Sequence, residues 1–207
     1  PTYIPTVSKL AAALLLCGLA AHASATGTVV LDSYGPDISF LEGWPTPLAQ
    51  GSSIAVPFDI MSATSIQSIL TSIEGVGGIT VGILARTGAV PTSTSWLYST
   101  HLVDPFVNTS LAPTGWALAA GSYWLAAVAD PSFEGQWQSA TNNPTASWAA
   151  STGGTWGEVS SPFTGMPGAR ITVAAAVPEP STYGLMFAGG LLLAAVARRK
   201  SRTNQQG

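Results

Sequence analysis

Between residues 26 and 176 the chain carries a single histidine, His101 in Ser99-Thr100-His101-Leu102, and neither lysine nor cysteine. A hydrolytic triad needs a base held against a nucleophile and oriented by a third group. One histidine in a Ser/Thr-rich stretch reads more simply as a surface strand residue. The missing lysine removes an amine nucleophile, and the missing cysteine removes a thiolate, a disulfide framework and any cysteine-based zinc site. No Gly-x-Ser-x-Gly elbow, phosphate-binding glycine loop or His-Glu-x-x-His occurs. No catalytic residue, metal ligand or cofactor is assigned, and an enzyme is not expected.

Two groups of residues could still recognise something. The acids Asp32, Asp37, Glu42, Asp59, Glu74, Asp104, Asp130, Glu134 and Glu158 are scattered singly. Two carboxylates at the right separation would suffice for glycoside hydrolysis, but Asp37, Asp104 and Asp130 stand beside turns, where Asp commonly bonds the local backbone. Asp32, Asp37 and Glu42 are close enough in sequence to offer oxygen ligands to calcium, although without EF-hand spacing. The seven tryptophans all lie in this section. Trp124, inside Tyr123-Trp-Leu-Ala-Ala-Val, reads as core. Trp137 in Glu134-Gly-Gln-Trp-Gln-Ser and Trp156 in Gly154-Thr-Trp-Gly-Glu158 have polar or glycine neighbours. Both are expected to be exposed, as candidate platforms for the apolar face of a sugar ring.

The elements positioning these residues read as β-strands. Ile54, Val56 and Phe58 alternate with small or polar neighbours, as do Ile79, Val81 and Ile83. Residues 28–31, 96–103, 122–129 and 169–173 are further β-rich runs. Turns are marked by Gly35-Pro36, Gly77-Gly78, Asp104-Pro105, Asp130-Pro131, Asn143-Pro144, Gly153-Gly154 and Pro167-Gly168. Ile66, Ile69, Leu70 and Ile73 have helical spacing, but Ser and Thr fill the gaps and Ile is β-branched, which favours strand. Short strands with dense Gly/Pro punctuation predict an all-β fold, a single β-sandwich of jelly-roll type over residues 26–176.

Both ends differ from this section. Lys9 precedes an uncharged apolar run over residues 10–21, followed by His22-Ala23-Ser24-Ala25. A base, a short apolar segment and small residues at Ala23 and Ala25 are the parts of a secretory signal peptide, with cleavage expected after Ala25. That places residues 1–25 in a leader handled by the Sec machinery and signal peptidase. At the other end, Val177-Pro178-Glu179-Pro180 is stiff and extended, because proline fixes its own φ and biases its predecessor away from helix. An uncharged run follows over residues 183–197, and Arg198, Arg199, Lys200 and Arg202 form a basic cluster. Such a cluster directly after an apolar segment is held on the cytoplasmic side of a membrane. The run spans about 22 Å as a helix, short of the ~30 Å hydrocarbon core, so the expected transmembrane helix is a marginal one.

Pro178-Glu179-Pro180, the apolar helix and the Arg/Lys-rich end, in that order within residues 177–202, resemble the PEP-CTERM protein-sorting signal of Gram-negative bacteria. A polar tail, residues 203–207, follows. The resemblance implies transient retention in the inner membrane, processing by exosortase near Pro178-Glu179-Pro180, and delivery to the cell surface or extracellular matrix. Val29-Val30-Leu31-Asp32-Ser33-Tyr34-Gly35, Ala55-Val56-Pro57-Phe58 and Leu118-Ala119-Ala120-Gly121-Ser122-Tyr123-Trp124-Leu125 also resemble the choice-of-anchor type of β-rich ectodomain, which brings no known activity with it.

Charge bounds the partners. The middle section sets nine acids against Arg86 and Arg170, so a nucleic-acid partner is not expected. The readings that remain are a structural or adhesive surface protein, a module binding exopolysaccharide through exposed Trp, and an extracellular glycan-processing enzyme.

Overall fold

The computed structural model describes residues 27–34, 45–92, 95–139, 147–160 and 165–175, together with Met186 and residues 189–191. The chain forms two compact units, residues 1–175 and residues 176–207. In the second, Met186 and residues 189–191 are helical.

The first unit is built from antiparallel strands. They are β1 (Thr28–Asp32), β2 (Thr46–Ala49), β3 (Ser52–Ile60), β4 (Thr64–Thr71), β5 (Ile73–Val76), β6 (Gly78–Ala85) and β7 (Tyr98–Val103). The remainder are β8 (Thr109–Leu111), β9 (Ala117–Leu118), β10 (Gly121–Ala129), β11 (Glu134–Trp137), β12 (Trp148–Thr152), β13 (Thr155–Val159) and β14 (Ala169–Val173). A six-stranded sheet runs β13-β12-β3-β10-β6-β7, a five-stranded one runs β1-β14-β4-β8 with β9 also on β4, and β2-β11-β5 form a third.

Alternation decides which side chains meet. Ile54, Val56, Phe58 and Ile60 of β3, Leu125 and Ala127 of β10, and Ile79, Val81 and Ile83 of β6 share one core. Ile66 and Ile69 of β4, Ile171 and Val173 of β14 and Leu31 of β1 join them from the five-stranded sheet. The ambiguous run around Ile66 is therefore strand. Ile66 and Ile69 both reach the core at an odd spacing because the register slips by one residue between Ile66 and Ser68, opposite Val173 and Thr172. A short break at Ser72 then lets Ile73 open β5.

Strand β10 sits between β3 and β6 and is covered on both faces, which explains its nearly unbroken apolar run. On the opposite face from the main core, Ala149, Ala55, Ala126 and Gly82 face one another in register across four strands. Trp124, Leu84 and the three alanines form a second small cluster there, with Val90, Trp96 and Trp156 packed against it. The Arg86 guanidinium carbon lies 5.0 Å from the Trp124 ring centroid, close enough for a cation–π contact.

Turn chemistry matches the expected punctuation at several described positions but not at Pro167-Gly168, where Pro167 forms an antiparallel bridge with Ser139 and the chain runs on into β14. Gly153 and Gly154, at φ 69° and 90°, connect β12 to β13, the pair of left-handed residues that a two-residue hairpin loop requires. Gly77 has φ 98° between β5 and β6. Gly35-Pro36 and Asn143-Pro144 lie outside the described residues.

Candidate functional site

The tryptophans sort differently from the sequence expectation. Trp137 is not exposed: it is fully buried, and its Nε1 donates to Gly168 O at 2.9 Å. The same carbonyl accepts from Ser72 N at 3.0 Å and Ser72 Oγ at 2.9 Å. Trp137 thus locks the small sheet to the start of β14 and has no face to offer a sugar. Its polar neighbours misled because a strand alternates, so Gln136 and Gln138 point away from the face that Trp137 buries. Trp156 is half-buried on edge strand β13 against Trp124's cluster. Trp124 is buried as expected, in the second cluster rather than the main core.

The two glutamines build the most distinctive polar feature of the surface. Glu74 of β5 stands opposite Gln136 of β11. Glu74 Oε1 accepts from Gln136 Nε2 at 2.6 Å and also from Gln138 Nε2. With these amide hydrogens directed at the carboxylate, Glu74 Oε2 and both amide oxygens remain as hydrogen-bond acceptors. This row borders an open groove of about 460 Å³, lined by Glu74, Val76, Asp104, Phe106 and Gln136 together with glycine and proline backbone. The volume falls within the range of small-molecule sites, about 300–1,000 Å³.

Phe106 stands at the rim, 71% exposed, and Val76 is 70% exposed. The loop carrying Phe106 is tightly fixed. Asp104 and Asn108, on either side of it, are the positive-φ non-glycine residues among those described, at 48° and 66°. Such conformations cost of order 1–3 kcal/mol each and persist only when their surroundings enforce them. Here Asp104 N donates to Gly77 O at 2.9 Å, and Gly77 N returns a bond to Asp104 Oδ1 at 2.7 Å. Gly75 N donates to Pro105 O at 3.1 Å and Asn108 N to Thr71 O at 3.1 Å. Thr109 N and Thr109 Oγ1 both donate to Phe106 O, at 3.0 and 2.5 Å. The backbone that carries this exposed apolar ring is thereby fixed beside a row of acceptors.

Sequence reasoning missed Phe106, Gln136 and Gln138, and counted Glu74 only among the scattered acids. The available signal was the Gln-Trp-Gln alternation, which puts two amides on one face. Their convergence on Glu74 depends on the non-local pairing of β11 with β5.

The other candidate groups are accounted for locally. His101 lies exposed on β7, as expected, with Nε2 2.8 Å from Asp130 Oδ2. Asp32 pairs with Arg170, Oδ2 to Nη2 at 2.8 Å, and Oδ1 accepts from Tyr34 N at 3.2 Å. Its expected calcium partners, Asp37 and Glu42, lie outside the described residues. Among those described, no group of three His, Cys, Asp or Glu could hold a metal ion. Asp59 Oδ1 accepts from Ser122 Oγ at 2.6 Å.

Ala23, Ala25, Pro178, Glu179, Pro180, Arg198, Arg199, Lys200 and Arg202 all lie outside the described residues. Among the described residues no helix is long and apolar enough to cross a membrane. No curated protein and no solved structure matches the chain. Residues 176–201, which begin one position after the folded unit ends at Ala175, match the PEP-CTERM protein-sorting motif. The chain therefore carries a PEP-CTERM sorting domain, which implies an exported protein processed by exosortase and directed toward the cell surface.

Proposed function

We propose that the protein is a surface or extracellular-matrix component with an adhesive role, and that it is not an enzyme. In this reading residues 1–25 are a signal peptide removed after Sec export, and residues 26–176 are a single jelly-roll-like β-sandwich. Residues 177–202 hold the chain transiently in the inner membrane of a Gram-negative cell through a short helix stopped by Arg198, Arg199, Lys200 and Arg202. Exosortase then acts near Pro178-Glu179-Pro180.

The observation supporting this reading most directly is where the folded unit stops. Ala174 N donates to Ser65 O, and Ala174 O accepts from Thr64 Oγ1 at 2.9 Å. Strand β14 is paired on both sides, by β1 and β4, so the chain is tied into the body up to the boundary of the sorting motif. In this reading the strands of the first unit are complete before the sorting motif begins. Mass spectrometry of the mature C-terminus from the surface fraction tests this. A terminus near Pro178-Glu179-Pro180 is expected; surface protein intact through Gly207 would reject processing.

The adhesive version is favoured over a purely structural one by the fixed Phe106 loop beside the Glu74–Gln136 row. Contact with exopolysaccharide through Trp156 is a second reading, supported by its half-exposed position on an edge strand; Trp137 no longer contributes to it.

A further inference from the structure

We propose that the groove between β5, β11 and the Phe106 loop is a binding site for uncharged sugar units of a glycan chain. The proposal deepens the adhesive reading above and rests on it. A pyranose ring has an apolar face of C–H bonds and an equatorial fringe of hydroxyls. It therefore needs a flat apolar surface beside several hydrogen-bond acceptors. The rim supplies the surface in Phe106, and the floor supplies the acceptors in Glu74 Oε2 and the Gln136 amide oxygen. Neither acceptor has a partner among the described residues. Hydroxyls donating to an ionised carboxylate form the stronger class of hydrogen bond.

Preorganisation is the second argument. The two amides hold Glu74 before any ligand arrives, and the Asp104–Asn108 loop fixes the backbone that carries Phe106. Little backbone freedom, and little freedom of Glu74, is then lost on binding, which is how a small contact area yields useful affinity.

Charge sets the class of sugar. The groove is lined by two carboxylates, Glu74 and Asp104, and by no cationic side chain. The two arginines of this section lie elsewhere, Arg170 on Asp32 and Arg86 over Trp124. Uronic acids and sulfated sugars would meet like charge without a compensating base, so neutral sugars are the fit.

Placement suits an adhesive. Thr71 pairs with Ala169 at the start of β14, and Glu74 lies three residues beyond it. The chain leaves the body from the other end of β14, after Val173. Along the sequence pairing, the groove's β5 thus follows the Ala169 end of β14 and not its Val173 end.

The test uses the full-length chain in a zwitterionic detergent without a sugar headgroup, on an array of neutral, uronic and amino-sugar oligosaccharides. Saturable binding confined to neutral oligosaccharides is expected, weakened about tenfold by Phe106→Ala and by Glu74→Gln. Both side chains are at the surface or half-buried, and circular dichroism checks that each variant is folded. Preference for uronic oligosaccharides, no saturable binding, or unchanged binding by folded groove variants would each overturn the proposal. Loss only in Trp156→Ala would overturn it in favour of the outer sheet face. Retention of the wild-type and Phe106→Ala proteins in the matrix fraction separates the two levels. Equal retention without glycan binding rejects the groove and leaves the adhesive role standing, whereas wild-type protein absent from the matrix rejects both.

Discussion

Gly75 and Gly135 lie opposite each other across the β5–β11 ladder, and the Phe133 ring fills the space where both Cβ atoms would be. A Cβ at Gly75 would stand 2.6 Å from Phe133 Cζ, and one at Gly135 would stand 2.8 Å from the same atom. Phe133 is fully buried, so the two glycines let a core ring press against the back of the ladder that carries Glu74 and Gln136.

Gly135→Ala is therefore expected to destabilise the protein by about 1–3 kcal/mol, the usual range for overpacking. Its Cβ would also fall 2.2 Å from Glu74 O, a backbone atom that cannot swing aside. Urea unfolding should show a lower midpoint with an unchanged slope. A midpoint equal to wild type would show that the ladder yields easily and that the packing of Phe133 does not define the groove.

Trp137→Phe should cost about 2–3 kcal/mol, combining a partly filled cavity with one lost hydrogen bond. Gly168 O keeps both Ser72 donors, so the carbonyl is not left bare and the loss stays below that of Trp→Ala. For a chain of this size each kcal/mol corresponds to about 2–4 °C. A melting temperature unchanged within a degree would contradict the lock between β11 and β14.

The contrast between these residues shows where sequence reading succeeds. The alternations around Ile54 and Ile79 are local and strong, and they reappear in β3 and β6. The Gly153-Gly154 turn is equally local, since φ above zero at two successive residues needs little else. By contrast, β2, β5, β11, β12 and β13 were not anticipated. They are four or five residues long and interrupted by Gly, Pro, Ser or Thr, whereas the equally short β1 and β14 carry Val-Val-Leu and Ile-Thr-Val runs. Trp137 failed for a related reason: its neighbours reported the opposite face of the strand. The sorting motif was legible because its parts follow one another along the chain, whereas Glu74 and Gln136 are 62 positions apart.

Asp32 and Arg170 join β1 to β14 across a register pair. Their side chains are 35% and 27% exposed, so solvent screens most of the attraction. A double-mutant cycle with Asp32→Asn and Arg170→Gln should return a coupling of about 0.5 kcal/mol, smaller still at 1 M salt. A coupling of several kcal/mol, insensitive to salt, would mean that the pair is sealed from water and would change the picture of this edge.

Tyr34 supplies the pH dependence. Burial pushes its hydroxyl well above the ordinary phenol range, with the nearby Ser72 hydroxyl and Arg170 charge opposing the shift. The native state therefore keeps this proton at pH values where the unfolded chain, titrating near about 10, gives it up. Fewer protons are bound by the unfolded state, so stability is complete below that value and falls as pH rises above it. By about pH 11 the loss should reach roughly 1.4 kcal/mol from this residue alone. Urea midpoints measured for wild type and Tyr34→Phe at pH 8 and pH 11 isolate it. The two proteins should lie close together at pH 8, and wild type should lose more at pH 11. Parallel losses in both would show that Tyr34 ionises as readily in the fold as outside it, contradicting its burial beneath the Ser72 node.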